Sequence, residues 1–345
     1  MKKLIITGPS KAEIKEVTKP HAIDEWALIR VVYAGMCTEN KRFIDGTPDE
    51  YVGHEAVGVV EEVVQGLHVK AGDRVVVPAL YSCGHCELCD SGYYLHCENT
   101  PDGISAQDVN AVTHQTEGAA YYAQYLLKPE RLLWIIPDDI SFKHAAMANC
   151  GLGPSFGALH NMKVIPGRSV LITGMGGVGL GGVINAKHRG LMVIAVDTIP
   201  YRMNLAKSLG ADYVFDARDI DIREKIRSVT KNLGPEYAIE CSGTIPAQKL
   251  CMHAVKRLGH VCFVGGSYSD TPIKVTPELV VQGITITGSW MFPTTLVGDM
   301  MEVIRKNRTK LDLMITNIVP MSRAQQALEI SSGADHGKML LDPWS

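Results

Sequence analysis

Residues 169–197 read "SVLITGMGGVGLGGVINAKHRGLMVIAVD", and this stretch decides the fold. An apolar run ends at Thr173, glycines follow at Gly174, Gly176 and Gly179, and a helix-forming segment leads to a second apolar run that closes on Asp197. A G-x-G-x-x-G turn between a strand and a helix, with an acid 23 residues after its first glycine, is the pattern of a dinucleotide-binding βαβ unit. Gly174 permits the tight turn, Gly176 lets backbone approach a pyrophosphate, and Gly179 allows the helix to pack closely. Gly177 and Val178 open the helix, whose free N–H groups and positive dipole end favour phosphate. Asp197 is placed to accept hydrogen bonds from the adenosine ribose and to repel a 2′-phosphate, which favours NAD over NADP. Arg202 argues the other way, because a guanidinium there suits that phosphate. A packing turn in some other α/β protein is the alternative reading.

The grammar continues outward from this unit. "YAIECSG" (237–243), "HVCFVGG" (260–266) and "ITITGSW" (284–290) are strand-like and alternate with helical segments. That predicts a doubly wound parallel sheet over 152–290. Residues 1–151 differ: "WALIRVVYAG", "AVGVVEEVV" and "DRVVVPAL" are valine-rich runs punctuated by turn residues, so this part is β-rich. The stretch 98–118 lacks apolar periodicity and is expected to be a surface loop. Residues 291–345 carry two helical segments and a last strand, "GKMLLD". The class is α/β with two domains.

The 345 residues carry a formal net charge of −3, with 46% hydrophobic and 21% charged side chains. Nothing in this balance points to nucleic acid or an anionic membrane surface. "MKKLIITGPS" breaks at Gly8-Pro9 before any signal-length apolar run develops, so a cytoplasmic location is expected.

Nine cysteines suggest metal rather than disulfide chemistry. "CGHCELCDSGYYLHC" places Cys83, Cys86, Cys89 and Cys97 on one loop, a donor set suited to a closed, structural Zn²⁺ site. An iron–sulfur cluster is the competing reading, although the proline that usually follows the last cysteine is absent. Cys37, His54 and Cys150 form a second set: three protein ligands with an open position are the pattern of catalytic zinc, expected at the junction of the two domains. Cys241, Cys251 and Cys262 read as packed core residues.

Taken in order, "AGMC" (34–37), "GHEAVGVV" (53–60), "GDRVVV" (72–77), the four-cysteine lobe, "GMGGVG" (174–179) and "ECSG" (240–243) make the chain resemble a zinc-dependent medium-chain alcohol dehydrogenase over essentially its full length. The resemblance implies a GroES-like catalytic domain formed by 1–151 and 291–345, with a Rossmann domain between. It implies two Zn²⁺ per chain, with Cys37, His54 and Cys150 as catalytic ligands and Glu55 behind the metal. By position in the fold, Gly265, Gly266 and Ser289 would approach the nicotinamide, and Trp290, Met291 and Phe292 would wall the substrate pocket. Association through the edge of the nucleotide-binding sheet, as a homodimer or homotetramer, is typical of relatives.

One departure stands out. Relatives usually carry Ser or Thr two residues after the first cysteine and often His three further on, as a proton relay; this chain has Glu39 and Arg42. Three readings are open: Glu39 is the proton acceptor, Glu39 binds a cationic or polyhydroxyl substrate, or Glu39 pairs with Arg42 or Lys41 while Thr38 relays the proton. The implied reaction is reversible oxidation of an alcohol by NAD, with a polar secondary alcohol such as a polyol, sugar derivative or amino alcohol favoured over simple aliphatic or aromatic alcohols. A non-catalytic dinucleotide-binding redox sensor and a reductase of C=C or C=N bonds are the rivals.

Overall fold

A computed structural model describes residues 1–100, 106–267 and 269–345. The chain forms two compact units, Met1–Cys150 with Pro293–Arg308 and Ile315–Ser345, and Gly151–Phe292 with Thr309–Met314. The helix Arg308–Met314 thus contributes most of its length to the second unit, inside a stretch expected to belong wholly to the first. No helix among the described residues is long and apolar enough to cross a membrane.

The first unit is built on the strand Trp26–Met36, whose eleven residues are buried along most of their length. Its first half pairs with Tyr125–Pro129 and its last residues with Lys338–Asp342, while Ala56–Glu62 runs antiparallel along the other side. Arg74–Val77 and Trp134–Ile135 extend the sheet beyond Ala56–Glu62. Strand pairing at such density needs small residues: a Cβ at Gly58 would lie 2.4 Å from the carbonyl oxygen of Arg30. The register sets Met339 opposite Met36, which brings Lys338 alongside the turn that carries Cys37. The stretch 98–118 is not loop throughout: Ala106–Thr113 is helical and buries Val109, while residues 101–105 lie outside the described residues. A helix that buries so little leaves no apolar period to read.

The second unit is a six-stranded parallel sheet in the order Tyr213–Asp216, Met192–Asp197, Ser169–Thr173, Tyr237–Glu240, His260–Phe263, Thr285–Gly288. Numbered within the unit this is 3-2-1-4-5-6, in which the strand order reverses beside the first strand and leaves a crevice there. The ladders align Thr173 with Val196 and Glu240, and Phe263 with Gly288, so the loops after these strands leave from one edge. Leu171, Ile194, Ala238 and Val261, all fully buried, form the core beneath.

The glycine turn is closed by contact. Gly174 has φ +83°, a left-handed conformation that costs an L-residue strain. A Cβ at Gly179 would sit 1.9 Å from the Gly174 carbonyl oxygen, whereas one at Gly176 would meet nothing within 4 Å. Gly179 therefore seats the helix Gly177–His188 on the turn, and Gly176 keeps the turn's outer face open. Gly179→Ala should destabilise this unit by about 1–3 kcal/mol, the usual range for overpacking. The check is a thermal melt with and without NADH, and an unchanged melting profile would refute the packing role.

Candidate metal centres and nucleotide loop

In the first unit, the strand Trp26–Met36 delivers Cys37 at its end, and His54 and Glu55 immediately precede Ala56–Glu62. Cys150 follows the short 3-10 turn Ala146–Ala148. Donor atoms of Cys37, His54, Glu55 and Cys150 all lie within 4.8 Å of one another. His54 Nε2 is 3.2 Å from Cys150 Sγ. Cys150 N–H donates to Glu55 Oε2 at 3.1 Å, and Lys338 Nζ donates to Glu55 Oε1. Glu55 and Lys338 are buried, so each carries the other's charge in the interior. Gly35 makes this possible, since a Cβ there would lie 2.6 Å from the Glu55 carboxyl carbon.

Glu39 lines a cavity beside His54 but is largely buried. Its carboxylate turns inward, with Oε1 2.5 Å from His54 Nδ1, an ion-pair contact whose N–H is not aligned for a straight hydrogen bond. Oε2 accepts the Cys37 N–H at 2.8 Å and the Tyr122 hydroxyl at 3.0 Å. With 7% of its surface exposed, the carboxylate bears on His54, the Cys37 amide and Tyr122 rather than on solvent. It does not pair with Arg42 or Lys41 either. The helix Glu39–Asp45 sends Arg42 outward to Asp49, whose other oxygen accepts the Tyr51 N–H at 2.8 Å. Beside His54 lies a cavity of about 160 Å³ lined by Thr38, Glu39, Arg42, Asp49, Tyr51 and Gly53. Every group on this wall except the Tyr51 ring is polar or backbone, and Thr38 is exposed.

The electrostatics fit a divalent cation. A hydrogen bond from Cys150 holds the Cys37 thiol well below its ordinary range despite burial, with Lys338 adding to the effect. Cys150 is pushed well up by the same contact, then by burial and by Glu55. The contact thus favours the thiolate at Cys37 and disfavours it at Cys150, and a bound cation would favour it at both. Burial would raise the Glu39 carboxyl, but His54 outweighs it and brings it to about 2. The imidazole is therefore fixed with Nδ1 on a carboxylate and Nε2 toward the thiols, the usual arrangement of a metal-bound histidine.

The four-cysteine lobe is local. Sulfur separations are 3.9 Å for Cys83–Cys89, 3.5 Å for Cys86–Cys89 and 3.9 Å for Cys86–Cys97. Tetrahedral Zn–S bonds of about 2.3 Å set sulfurs about 3.8 Å apart, so the lobe fits one ion. A multi-iron cluster would hold the sulfurs further apart.

In the second unit, Asp197 is 8% exposed and braces the glycine turn. Its Oδ2 accepts the Met175 N–H at 2.5 Å, and Oδ1 accepts those of Thr198 and Ile199 at 2.7 and 2.8 Å. A carboxylate offers about four lone-pair sites, so room for a further donor remains. Arg202 lies on the helix Pro200–Ser208 with its Nε buried and without a hydrogen-bond partner among the described residues. Gly265 and Gly266 abut Gly243, with a Cβ at Gly243 reaching within 2.2 Å of the Gly266 carbonyl oxygen. Ser289 holds its backbone on Phe263 and its hydroxyl on Asn161. Met291 and Phe292, expected to wall the substrate pocket, are buried in this unit's interior, where Phe292 meets the Phe156 ring edge-on at 5.2 Å. Trp290 is 51% exposed. Cys251 and Cys262 are buried, as core cysteines should be. Tyr122 and Lys338 escape sequence reasoning. Lys338 left one trace, a charge at the head of the apolar run Met339–Leu341.

Residues 23–138 match the model of the alcohol dehydrogenase GroES-like domain, and residues 177–306 that of the zinc-binding dehydrogenase domain. The chain belongs to the zinc-dependent medium-chain alcohol dehydrogenase family; it is an oxidoreductase whose cofactors are zinc and NAD. It is 30% identical to an alcohol dehydrogenase of Geobacillus stearothermophilus, the match covering 95% of each chain. It is 28% identical to a sorbitol dehydrogenase of Bacillus subtilis over 95% of this chain and 93% of the relative. In structure it superposes on alcohol dehydrogenase TADH from Thermus sp. ATN1 with a TM-score of 0.87 at 26% identity, over 99% of both chains.

Glu39→Gln should leave the fold intact and weaken metal retention about 10–100-fold, the usual cost of losing such a support. Tyr122→Phe should do so less. Zinc release to a chelator, followed with the lobe zinc as internal reference, checks both, and equal release from wild type and Glu39→Gln would refute the positioning role. Metal analysis should find two zinc ions per chain, with Cys150→Ser and Cys86→Ser each removing one.

Proposed function

We propose that the chain oxidises polar secondary alcohols, polyols or related hydroxylated compounds, with NAD preferred over NADP. The observation that carries this reading is the wall beside His54, where Arg42 and Asp49 form an ion pair flanked by Thr38 and Tyr51. Paired donors and acceptors suit the extra hydroxyls of a polyol and leave an aliphatic tail only the Tyr51 ring to bury against. Similarity to a sorbitol dehydrogenase is in keeping with this. The cysteine at 150 favours the second reading, a dehydrogenase of simple alcohols, because polyol dehydrogenases of the family generally carry a glutamate there. The 30% identity to an alcohol dehydrogenase points the same way.

Cys37, His54 and Cys150 would hold the catalytic zinc, which when bound polarises an alcohol oxygen and lowers the pKa of its hydroxyl. NAD, when bound, accepts the hydride. The remaining work belongs to the side chains. Glu39 and Tyr122 hold the imidazole in one orientation, and Lys338 keeps Glu55 off the ligand set by occupying one of its oxygens. Thr38, the exposed hydroxyl on the cavity wall, passes the alcohol proton outward, the task for which Glu39 is too enclosed. Asp197 fixes the turn that receives the pyrophosphate and retains capacity for a ribose hydroxyl. The edge strand Thr285–Gly288 pairs on one side only among the described residues, which supports association with a second copy.

Reduction of NAD⁺ by the zinc-loaded protein, read at 340 nm against polyols, amino alcohols and simple alcohols, tests the substrate class. Polyols should show the higher kcat/KM; dominance by ethanol or benzyl alcohol would establish the second reading. Thr38→Val should lower kcat at neutral pH roughly tenfold or more and Thr38→Ser should restore it, as expected for a proton-passing hydroxyl. Equal rates for Thr38→Val and wild type would remove Thr38 from the path.

A further inference from the structure

The second unit holds a cavity of about 660 Å³, within the range of sites that enclose small ligands. Arg223, Arg227, Lys256 and Arg257 face it with His253, and Glu278 is its single carboxylate. Its floor includes Met252 and Val255, both largely buried.

Several cations elsewhere in this unit are paired with acids, among them Lys187 with Asp212, Arg218 with Asp216 and Lys225 with Asp219. Three arginines that line the cavity are not, among the described residues. Arg223 reaches the His253 carbonyl at 3.4 Å, Arg227 bonds the Asn232 carbonyl at 3.0 and 3.1 Å, and neither has a carboxylate partner among the described residues. Arg257 is exposed and makes no ion pair among them. Glu278 cannot neutralise this group, because it is already held by Lys249 at 3.0 Å and His253 at 3.1 Å and accepts the Lys274 N–H. Lys256 alone is matched, by Glu236 at 2.9 Å. Three guanidiniums therefore share one concavity with no carboxylate partner of their own among the described residues, in a chain whose net charge is −3. A guanidinium left with spare donors is geometrically suited to phosphate and carboxylate.

The cavity is also far from the dinucleotide turn in topology. Val255–Arg257 precede the strand His260–Phe263, and Arg227 precedes Tyr237–Glu240, so these residues stand where strands begin. The glycine turn follows Thr173, where a parallel strand ends. The two sites lie at opposite edges of the sheet.

We propose that this cleft binds a compact polyanion, a small molecule bearing two or more phosphate or carboxylate groups, at a site separate from that of NAD. Such a ligand would replace mutual repulsion among the arginines with charge-assisted hydrogen bonds.

The test is calorimetric titration of the full-length, zinc-loaded protein with tripolyphosphate. NADH is kept saturating so that the dinucleotide turn is occupied, and ionic strength is held constant. One saturable site per chain is expected, with inorganic phosphate binding more weakly. Arg223→Gln/Arg227→Gln and, separately, Arg257→Gln should each weaken tripolyphosphate about tenfold or more, while NADH affinity and turnover stay at wild-type values. Arg257→Gln alters only an exposed side chain and carries the test if the double variant misfolds. Citrate binding that is lost in the same variants would support the site and assign carboxylate as its anion. Absence of saturable binding by either anion, or binding that all the variants retain, overturns the proposal.

Discussion

The first metal centre is organised by the cost of burying charge. Two carboxylates, an ammonium, an imidazole and two thiols share a region from which water is largely excluded, and an unpaired ion there costs several kcal/mol. The fold answers by making every charge part of a pair. Burial alone would push the Lys338 ammonium down, yet Glu55 and the two thiols hold it well above its ordinary range. Removing either member of such a pair typically costs about 3–5 kcal/mol, because the survivor is stranded. The pairing is delivered by backbone register: Met339 lies opposite Met36, and Lys338 and Cys37 are their immediate neighbours. Gly35 and Gly53 then supply space that a side chain would fill, with a Cβ at Gly53 meeting the Tyr122 ring at 2.5 Å.

The parts legible in the sequence are those whose chemistry is local. The glycine turn and Asp197 lie within one βαβ unit, and the four cysteines lie within fifteen residues, so spacing alone specifies their geometry. Glu39 was legible as an anomaly and illegible as a contact. Its neighbours in sequence, Lys41 and Arg42, suggested a pair, but a helix that begins at Glu39 turns it toward the interior and Arg42 toward Asp49. One of its partners, Tyr122, is 83 residues distant, and beside it Lys338 meets Glu55 across 283. Side-chain contacts at such separations are set by sheet register, which no periodicity encodes. Met291 and Phe292, both buried, and Trp290, half exposed, illustrate the same limit, since a patch of apolar residues has one composition whether it lines a pocket, fills a core or faces solvent.

One device recurs in both units. Asp197 accepts the amide of Met175, Glu240 those of Ser242 and Gly243, Glu55 that of Cys150, and Glu39 that of Cys37. Each is a buried acid with at least one oxygen held by a backbone amide of a neighbouring loop. Bonds of this kind are stronger than neutral ones and fix loop geometry before a ligand arrives. That is what hydride transfer demands, since rate depends on holding reacting groups in place rather than on new covalent chemistry by the protein.

This view makes sense of the departure at Glu39. The site needs a carboxylate in reach of both the Cys37 amide and His54 Nδ1, and it does not need that carboxylate at one fixed offset from the cysteine. Placing it two residues on consumes the position where relatives usually keep a relay hydroxyl. Thr38, one residue nearer the cysteine, is then the hydroxyl left facing the cavity. In the proposed mechanism, support of the histidine and passage of the proton are coupled at the start of one short helix, so a change in either function has to be answered by the other.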